Sequence, residues 1–400
     1  MTAQTRKKSV CPRGLAAGIA RVQRAALGQD LISGLTHQFY RYPARFSPCF
    51  VRAAIETFSS PAEVVLDPFM GGGTTIVEAY TAGRRAIGND VNSLALFVAS
   101  AKLRTLNNRE QSSIRRWALG SVPTLRCHAP TTARMPDPQP TPRNMSLPQV
   151  RWLKKTVEQC LASMMDEIST ERARQFARCV ILNVGQWALN GRRRIPAAAE
   201  FRDRVAATAT EMLTGMNELH EALHVGRRRN FEPLLVEGDA EELVANTGIR
   251  DVGPADLIVT SPPYPGIHML YHRWQVDGRK ESNAPYWITA SNDGAGAAFY
   301  NFADRRRAAE DRYFHKAERA FSSIRQITRD GAALVQLIAF SDPQRQIRRY
   351  LGVLERAGFR ELRRPRERRT WRAVPSRRWH ANSKGDLPSS REVMLVHQAV

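Results

Sequence analysis

Val64-Val-Leu-Asp-Pro-Phe-Met-Gly-Gly-Gly-Thr-Thr75 is the stretch on which the fold turns. Val64 to Leu66 reads as a short buried strand, and Asp67-Pro68 ends it, because proline cannot continue the ladder. The glycine run makes a tight turn, a helix follows from Thr74 to about Ala82, and Gly83 stops it. A strand, a glycine turn and a helix N-terminus together place backbone N–H groups where a ligand can meet them. Gly71 and Gly73 are read as positions where a Cβ would collide with that ligand. The third glycine of the dinucleotide fingerprint is missing and no Gly-Lys-Ser/Thr follows, so a dinucleotide or a nucleoside triphosphate fits less well.

Outward from this stretch the pattern repeats. Arg85 to Asp90 reads as a second strand and Ser93 to about Arg104 as a second helix. Asp90 ends its strand where an acid accepts hydrogen bonds from ribose hydroxyls. This β–α–β–α order predicts an α/β fold, a mostly parallel sheet wrapped by helices. Further strands are expected over Pro233–Ala240, Ala255–Thr260, Ala332–Phe340 and Arg391–Gln398, with helices over Tyr313–Arg329 and Pro343–Ala357. Upstream lie an acid-free, Arg- and Lys-bearing start over Met1–Gln29 and an amphipathic run over Cys49–Phe58. Between the two blocks of strands come a Pro-rich stretch, Pro123–Pro148, and a helical one, Val150 to about Val225, with Trp152, Val157, Leu161, Met164 and Met165 at helical spacing. Four segments result: a basic arm (1–36), a ligand-binding half (37–104), an insertion that is a candidate target-recognition region (105–230) and a second half (231–400) with an Arg-rich loop at 361–380.

The second informative element is Ser261-Pro-Pro-Tyr264, directly after Ala255–Thr260. Two prolines fix the backbone rigidly. The turn can aim the Ser261 hydroxyl and the Pro262 carbonyl at one point, as acceptors for an amino group. Tyr264 then offers a flat face on which a base could stack. Plain punctuation at a strand end is the other reading.

Together these motifs resemble the amino-group DNA methyltransferases. Asp67 to Thr75 is similar to their cofactor loop, DPFxGSGTT, with Gly72 in place of the usual Ser. Thr260-Ser-Pro-Pro-Tyr264 is similar to their catalytic tetrapeptide, whose Ser form is typical of N4-cytosine enzymes and whose Asp form is commoner in N6-adenine enzymes. Tyr42-Pro-Ala-Arg-Phe46 resembles the segment that closes over the methionine end of the cofactor. Gly88-Asn-Asp-Val-Asn92 resembles the ribose-binding strand end, and Gly238-Asp-Ala240 the adenine-contacting segment. The resemblance implies a Rossmann-like, S-adenosylmethionine-dependent methyltransferase with a seven-stranded sheet. It implies Phe46, Asp67, Pro68, Phe69, Gly71, Gly73, Thr74, Asp90 and Asp239 as cofactor-binding residues, and Ser261, Pro262, Pro263 and Tyr264 as catalytic ones. The cofactor half precedes the tetrapeptide, an order that resembles a circularly permuted member. Cytosine N4 of a flipped base is the expected target. Adenine N6, guanine N2 of RNA and a catalytically silent DNA-binding module are the alternatives.

Composition agrees with a nucleic-acid partner. The formal net charge is +22, with Arg triplets at Arg192–Arg194, Arg227–Arg229 and Arg305–Arg307 and eight arginines between Arg363 and Arg378. Such a field attracts polyanions and makes binding salt-dependent. Double-stranded DNA is the expected partner, with proteins of restriction or phage-defence systems beside it. Five scattered cysteines without a CxxC pair point away from disulfides and zinc and fit a reducing cytoplasm, near bacterial DNA. Cys49 is read as a packing residue. His268 and His272 are read as base or phosphate contacts, so no metal is expected. The longest apolar run, Ala332–Phe340, has nine residues, so no membrane span is expected. Trp274, Tyr286 and Trp287 read equally well as stacking on nucleic acid or as a satellite core.

Overall fold

The computed structural model describes residues 13–28, 32–42, 45–126, 141–225, 231–266, 273–278, 280–294, 300–303, 309–363, 367–373 and 391–400. Its strands are β1 (Val64–Asp67), β2 (Arg85–Asp90), β3 (Leu234–Glu237), β4 (Ala255–Thr260), β5 (Trp274–Val276), β6 (Lys280–Ser282), β7 (Thr328–Ile338), β8 (Phe359–Glu361), β9 (Trp371–Ala373) and β10 (Arg391–Ala399). The main sheet runs β3-β2-β1-β4-β7-β10-β8, and the short β9 pairs with β10. The first five strands are parallel, and β10 is antiparallel to its neighbours β7, β8 and β9. The structure has the expected α/β class and mostly parallel sheet, with eight strands rather than seven because the short β9 joins β10. Strands β5 and β6 form a separate hairpin.

The alternation along the strands explains the layers. Leu257 and Val259 of β4 face one core and Ile258 the other, as do Val335 and Leu334 of β7. Side chains one residue apart leave opposite faces of a strand, so both faces must be covered. The helix Glu310–Gln326 packs its Phe314, Phe321 and Ile324 on one face, beside Tyr350 and Val353 of the helix Pro343–Arg356. The helices Pro48–Phe58, Thr74–Thr81 and Ser93–Leu103 cover the other. The insertion helices Arg151–Glu167, Glu171–Leu189 and Ala198–His224 share that second core.

Several sequence expectations are corrected. Arg13–Leu27, read as part of a basic arm, is a helix that buries Ile19, Val22 and Ala26, with Arg21 paired to Glu56. Gly18 allows the close approach, since a Cβ there would lie 2.5 Å from Thr57 Cγ2. The helix expected over Tyr313–Arg329 ends at Gln326, and β7 starts at Thr328 rather than Ala332. Exposed Arg329, Asp330 and Gly331 mask that start, which sits beside a shift in the pairing with β4. Trp152 is exposed, while Leu153, Val157, Cys160 and Leu161 form the buried stripe. Cys49 is exposed rather than packed. Trp274, Tyr286 and Trp287 are buried, which decides for the core. The structure adds a helix over Asn108–Arg115, which opens on a capping box of Asn107 and Glu110.

Candidate active site

The chain runs from β1 outward through β2 to β3, then returns to β4 on the other side of β1 and continues to β7. That reversal between β1 and β4 opens a crevice beyond the carboxyl ends of the strands, where α/β sheets bind ligands. A cleft lies there, lined by Asp67 from β1, Asp90 from β2, Asp239 after β3 and Ser261 after β4. The parallel register Leu66↔Ile258 brings the carboxyl ends of β1 and β4 together. Thr260 Oγ1 donates to Asp67 Oδ1 at 2.7 Å, and Thr75 Oγ1 donates to Val259 O at 3.4 Å. These two bonds bolt the glycine loop to the Ser-Pro-Pro-Tyr turn, across separations of 193 and 184 residues in sequence.

Phe46, Pro68, Phe69, Gly71, Thr74 and Pro263 also line the cleft, whereas Gly73, Pro262 and Tyr264 do not. Gly73 has φ +73° and a Cβ there would stand 2.9 Å from Ala99 Cβ; its glycine serves the turn and the helix packing, not a ligand. Gly71 has φ +47°, and its missing Cβ would lie 3.1 Å from the Tyr42 ring. At Gly72 a Cβ would meet Tyr42 Cβ at 2.9 Å, which accounts for glycine at that position. Tyr42 covers the loop, and its hydroxyl accepts from Asn92 Nδ2 at 2.9 Å. Tyr42 and Arg45 belong to the Tyr42–Phe46 motif, of which the sequence singles out Phe46 alone; both of them line the cleft as well.

The carboxylates are held by the backbone. Asp90 Oδ2 accepts from Gly71 N at 2.8 Å and Oδ1 from Asn92 N at 2.9 Å. Burial pushes the Asp90 carboxyl up to about 6 against these bonds, and burial pushes Asp67 up to about 7. Asp239 Oδ1 accepts from Glu241 N at 3.1 Å, and its Oδ2 accepts from Lys316 Nζ at 3.1 Å. Beneath the loop, the fully buried Lys102 donates to Gly72 O at 2.6 Å; burial, then Arg45, lowers it to about 7.

The Ser-Pro-Pro-Tyr turn is held differently. Tyr313 OH donates to the Pro263 carbonyl at 2.6 Å. Ser261 Oγ and Tyr264 OH are 2.7 Å apart, and Tyr264 OH donates to Glu392 Oε1 at 2.7 Å. The Tyr264 ring, expected as a stacking face, is 5% exposed, because those bonds draw it inward. Downstream residues reach back to the cleft too. Tyr286 OH donates to Asn92 Oδ1 and meets Tyr300 OH, each at 2.9 Å, and Tyr300 OH donates to Asp293 Oδ1. Tyr300 and Phe302 close one side of the cleft, and nothing in their sequence pattern announces it.

The donor set suits an adenosine-bearing cofactor. Asn89 lines the cleft, and its buried Oδ1 has no hydrogen-bond partner among the described residues. Acceptors at the ends of β2 and β3 lie beside an apolar wall of Phe46, Phe69, Met70 and Val91. Among the described residues no three His, Cys, Asp or Glu side chains form a metal site, and no helix is long and apolar enough to cross a membrane. His268, His272, Arg227–Arg229 and Arg305–Arg307 lie outside the described residues, as do Arg364, Arg366, Arg377 and Arg378. Of the described arginines in that last cluster, Arg369 pairs with Glu361 at 2.8 Å and Arg372 with Glu392 at 2.8 Å, so both are committed inside the fold.

Residues 22–99 match the DNA methylase family that acts on N6 and N4 amino groups. This segment is similar to that family. It spans the glycine loop, Asp90 and the Tyr42–Phe46 segment. The type II methyltransferase M.MvaI of Kocuria varians is 38% identical over 71 residues, 17% of this chain and 16% of the relative. The type II methyltransferase M.MjaII of Methanocaldococcus jannaschii is 31% identical over 68 residues, 17% of this chain and 13% of the relative. The chain thus matches under a fifth of the length of these methyltransferases. TrmN from Thermus thermophilus, a solved structure, aligns over 89% of this chain and 49% of its own at 12% identity and a TM-score of 0.32, too low to bear on fold or substrate.

Proposed function

We propose that this chain is an S-adenosylmethionine-dependent DNA methyltransferase that modifies an exocyclic amino group, with cytosine N4 as first choice and adenine N6 as second. The observation that carries it is the Thr260–Asp67 hydrogen bond, which brings Ser261 into the cleft of the glycine loop. Asp90 and Asp239 would accept from the cofactor's hydroxyl and amino groups, Asn89 offers a further acceptor, and Phe46 and Tyr42 would close the methionine end. When bound, the cofactor supplies an electrophilic methyl group on a sulfonium.

The chain's residues then bind and aim the base. A flipped base costs a few kcal/mol of stacking and pairing to extrude. Ser261 accepts from its amino group, holding the nitrogen lone pair toward the methyl and stabilising the charge that develops on nitrogen. On accepting the methyl group that the cofactor would supply, the amino nitrogen would lose one proton. No covalent enzyme intermediate is required. Tyr300 and Phe302, which line one side of the cleft, would limit water at the reacting atoms. The excess of 22 positive charges supports a duplex DNA substrate, and the matched relatives are named as type II methyltransferases. The choice of cytosine rests on the Ser form of the turn.

Mass spectrometry of nucleosides from DNA treated with the protein and S-adenosylmethionine tests the reading. N4-methylcytosine is expected. N6-methyladenine alone overturns the cytosine choice, and C5-methylcytosine, or no product on DNA, overturns the mechanism.

A further inference from the structure

Ser261 is a hydroxyl where an aspartate would be an acceptor by nature. A hydroxyl both donates and accepts, so its usefulness depends on where its single proton points. Tyr264 OH donates to Glu392 Oε1 at 2.7 Å, and Arg372 donates to Glu392 Oε2 through Nε at 2.9 Å and Nη2 at 2.8 Å. Arg372 and Glu392 are cross-strand partners of β9 and β10, and Glu392 is 1% exposed. A carboxylate only accepts. The one phenolic proton of Tyr264 is therefore spent on Glu392, and the 2.7 Å contact between Tyr264 and Ser261 has the serine as donor. That leaves the side of Ser261 Oγ facing the cleft with lone pairs alone.

We propose that Glu392, held by Arg372, is a positioning residue that acts through Tyr264 to fix the polarity of Ser261, making a neutral serine a one-way acceptor for the target amino group. The proposal rests on the reading of Ser261 as that acceptor. Glutamine at 392 would reverse the chain: its amide would donate to Tyr264, the phenol to Ser261, and Ser261 would aim its proton at the amino group.

The test uses the full chain, tritiated S-adenosylmethionine and unmodified bacteriophage genomic DNA, with cofactor affinity measured separately by calorimetry. Glu392→Gln and Tyr264→Phe are each expected to lower kcat at least tenfold while the cofactor Kd stays within twofold. If Glu392 acts only through the phenol, the double variant is no slower than the slower single one. Ser261→Asp is expected to be inactive alone, because two carboxylates would share one phenolic proton, and to recover activity when combined with Glu392→Gln. Tyr264→Phe removes a single oxygen and keeps the test alive if Glu392→Gln does not fold. Near-normal turnover of Tyr264→Phe or Glu392→Gln beside an inactive Ser261→Ala overturns the relay and leaves the serine's role standing. Multiplying losses in the double variant also overturn it. Normal turnover of Ser261→Ala overturns the acceptor reading and the relay with it.

Discussion

The two loops that meet in the cleft are supported in different ways. The glycine loop is held by groups close in sequence: Asp90 caps Gly71 N from 19 residues away, and Lys102 grips Gly72 O from 30 residues away. The Ser-Pro-Pro-Tyr turn is held from far off, with Tyr313 on the Pro263 carbonyl 50 residues away and Glu392 on Tyr264 128 residues away. Local support makes a loop that keeps its shape wherever its strand–helix unit is placed. Remote support makes a turn whose geometry exists only after β10 has paired beside β7. Cofactor binding should therefore respond to local changes, and turnover to distant ones.

The sharpest way to break that comparison is at Asp90. Asp90→Ala removes charged hydrogen bonds worth about 1.5–3 kcal/mol each, so cofactor affinity should fall roughly tenfold to a hundredfold. Calorimetry on the folded variant reads it, and unchanged affinity would move the cofactor elsewhere. A pH series sharpens the point. Asp90 must be ionised to act as an acceptor only, and its carboxyl is raised to about 6. Cofactor affinity should thus rise with pH through about 6, falling by up to about tenfold per unit below it, and Asp90→Asn should flatten the profile. Stability without cofactor moves the other way. The folded chain holds the Asp67 and Asp90 protons more tightly than the unfolded chain, so their contribution is full below about 4 and is lost as pH rises through about 6 and 7. The melting temperature of Asp67→Asn should depend less on pH across that window.

Gly73→Ala comes next in size. The left-handed conformation costs a residue with a Cβ about 1–2 kcal/mol, and the clash with Ala99 adds to it. Urea unfolding should show that loss, with the remaining folded protein binding cofactor less tightly. Tyr313→Phe is the smallest, a single neutral hydrogen bond of about 0.5–1.5 kcal/mol. Its loss should appear in kcat and leave the cofactor Kd untouched; the reverse split would mean that the turn and the loop are not separately supported.

Exposed arginines extend the same contrast to the surface. Arg192, Arg193 and Arg194 are exposed, and Arg192 lies 4.6 Å over the Trp187 ring. Their replacement by alanine should lower the slope of log affinity against log salt, by about 0.9 for each phosphate that an arginine no longer neutralises. Arg369→Gln, which breaks a pair with Glu361, should lower stability and leave the slope alone. An unchanged slope in the triple variant would place the DNA elsewhere.

Much of the fold is readable because strong local signals agree. The bounds of β4 and β2 and the helix after the glycine loop follow from apolar runs bounded by Gly, Pro and Asp. Strands β5, β6, β8 and β9 have three residues each, too few for a periodicity to show. In the sequence Gly71 and Gly73 read as leaving room for a ligand, yet Gly73 answers to Ala99 and Gly71 to the Tyr42 ring, partners that adjacency in sequence does not reveal.

By itself the sequence determined the α/β class, the strand–glycine–helix unit around Asp67 and the Ser-Pro-Pro-Tyr turn, because each is a short-range consequence of which residues can bend, cap or stay buried. Only the tertiary structure decided that Thr260 would bond Asp67, that Tyr42 would roof the glycine loop, and that Tyr264 would turn inward to Glu392. Those are hydrogen bonds and contacts between groups on separate elements of the fold. Their geometry depends on strand order and register, which pairing across the sheet fixes and no local pattern encodes.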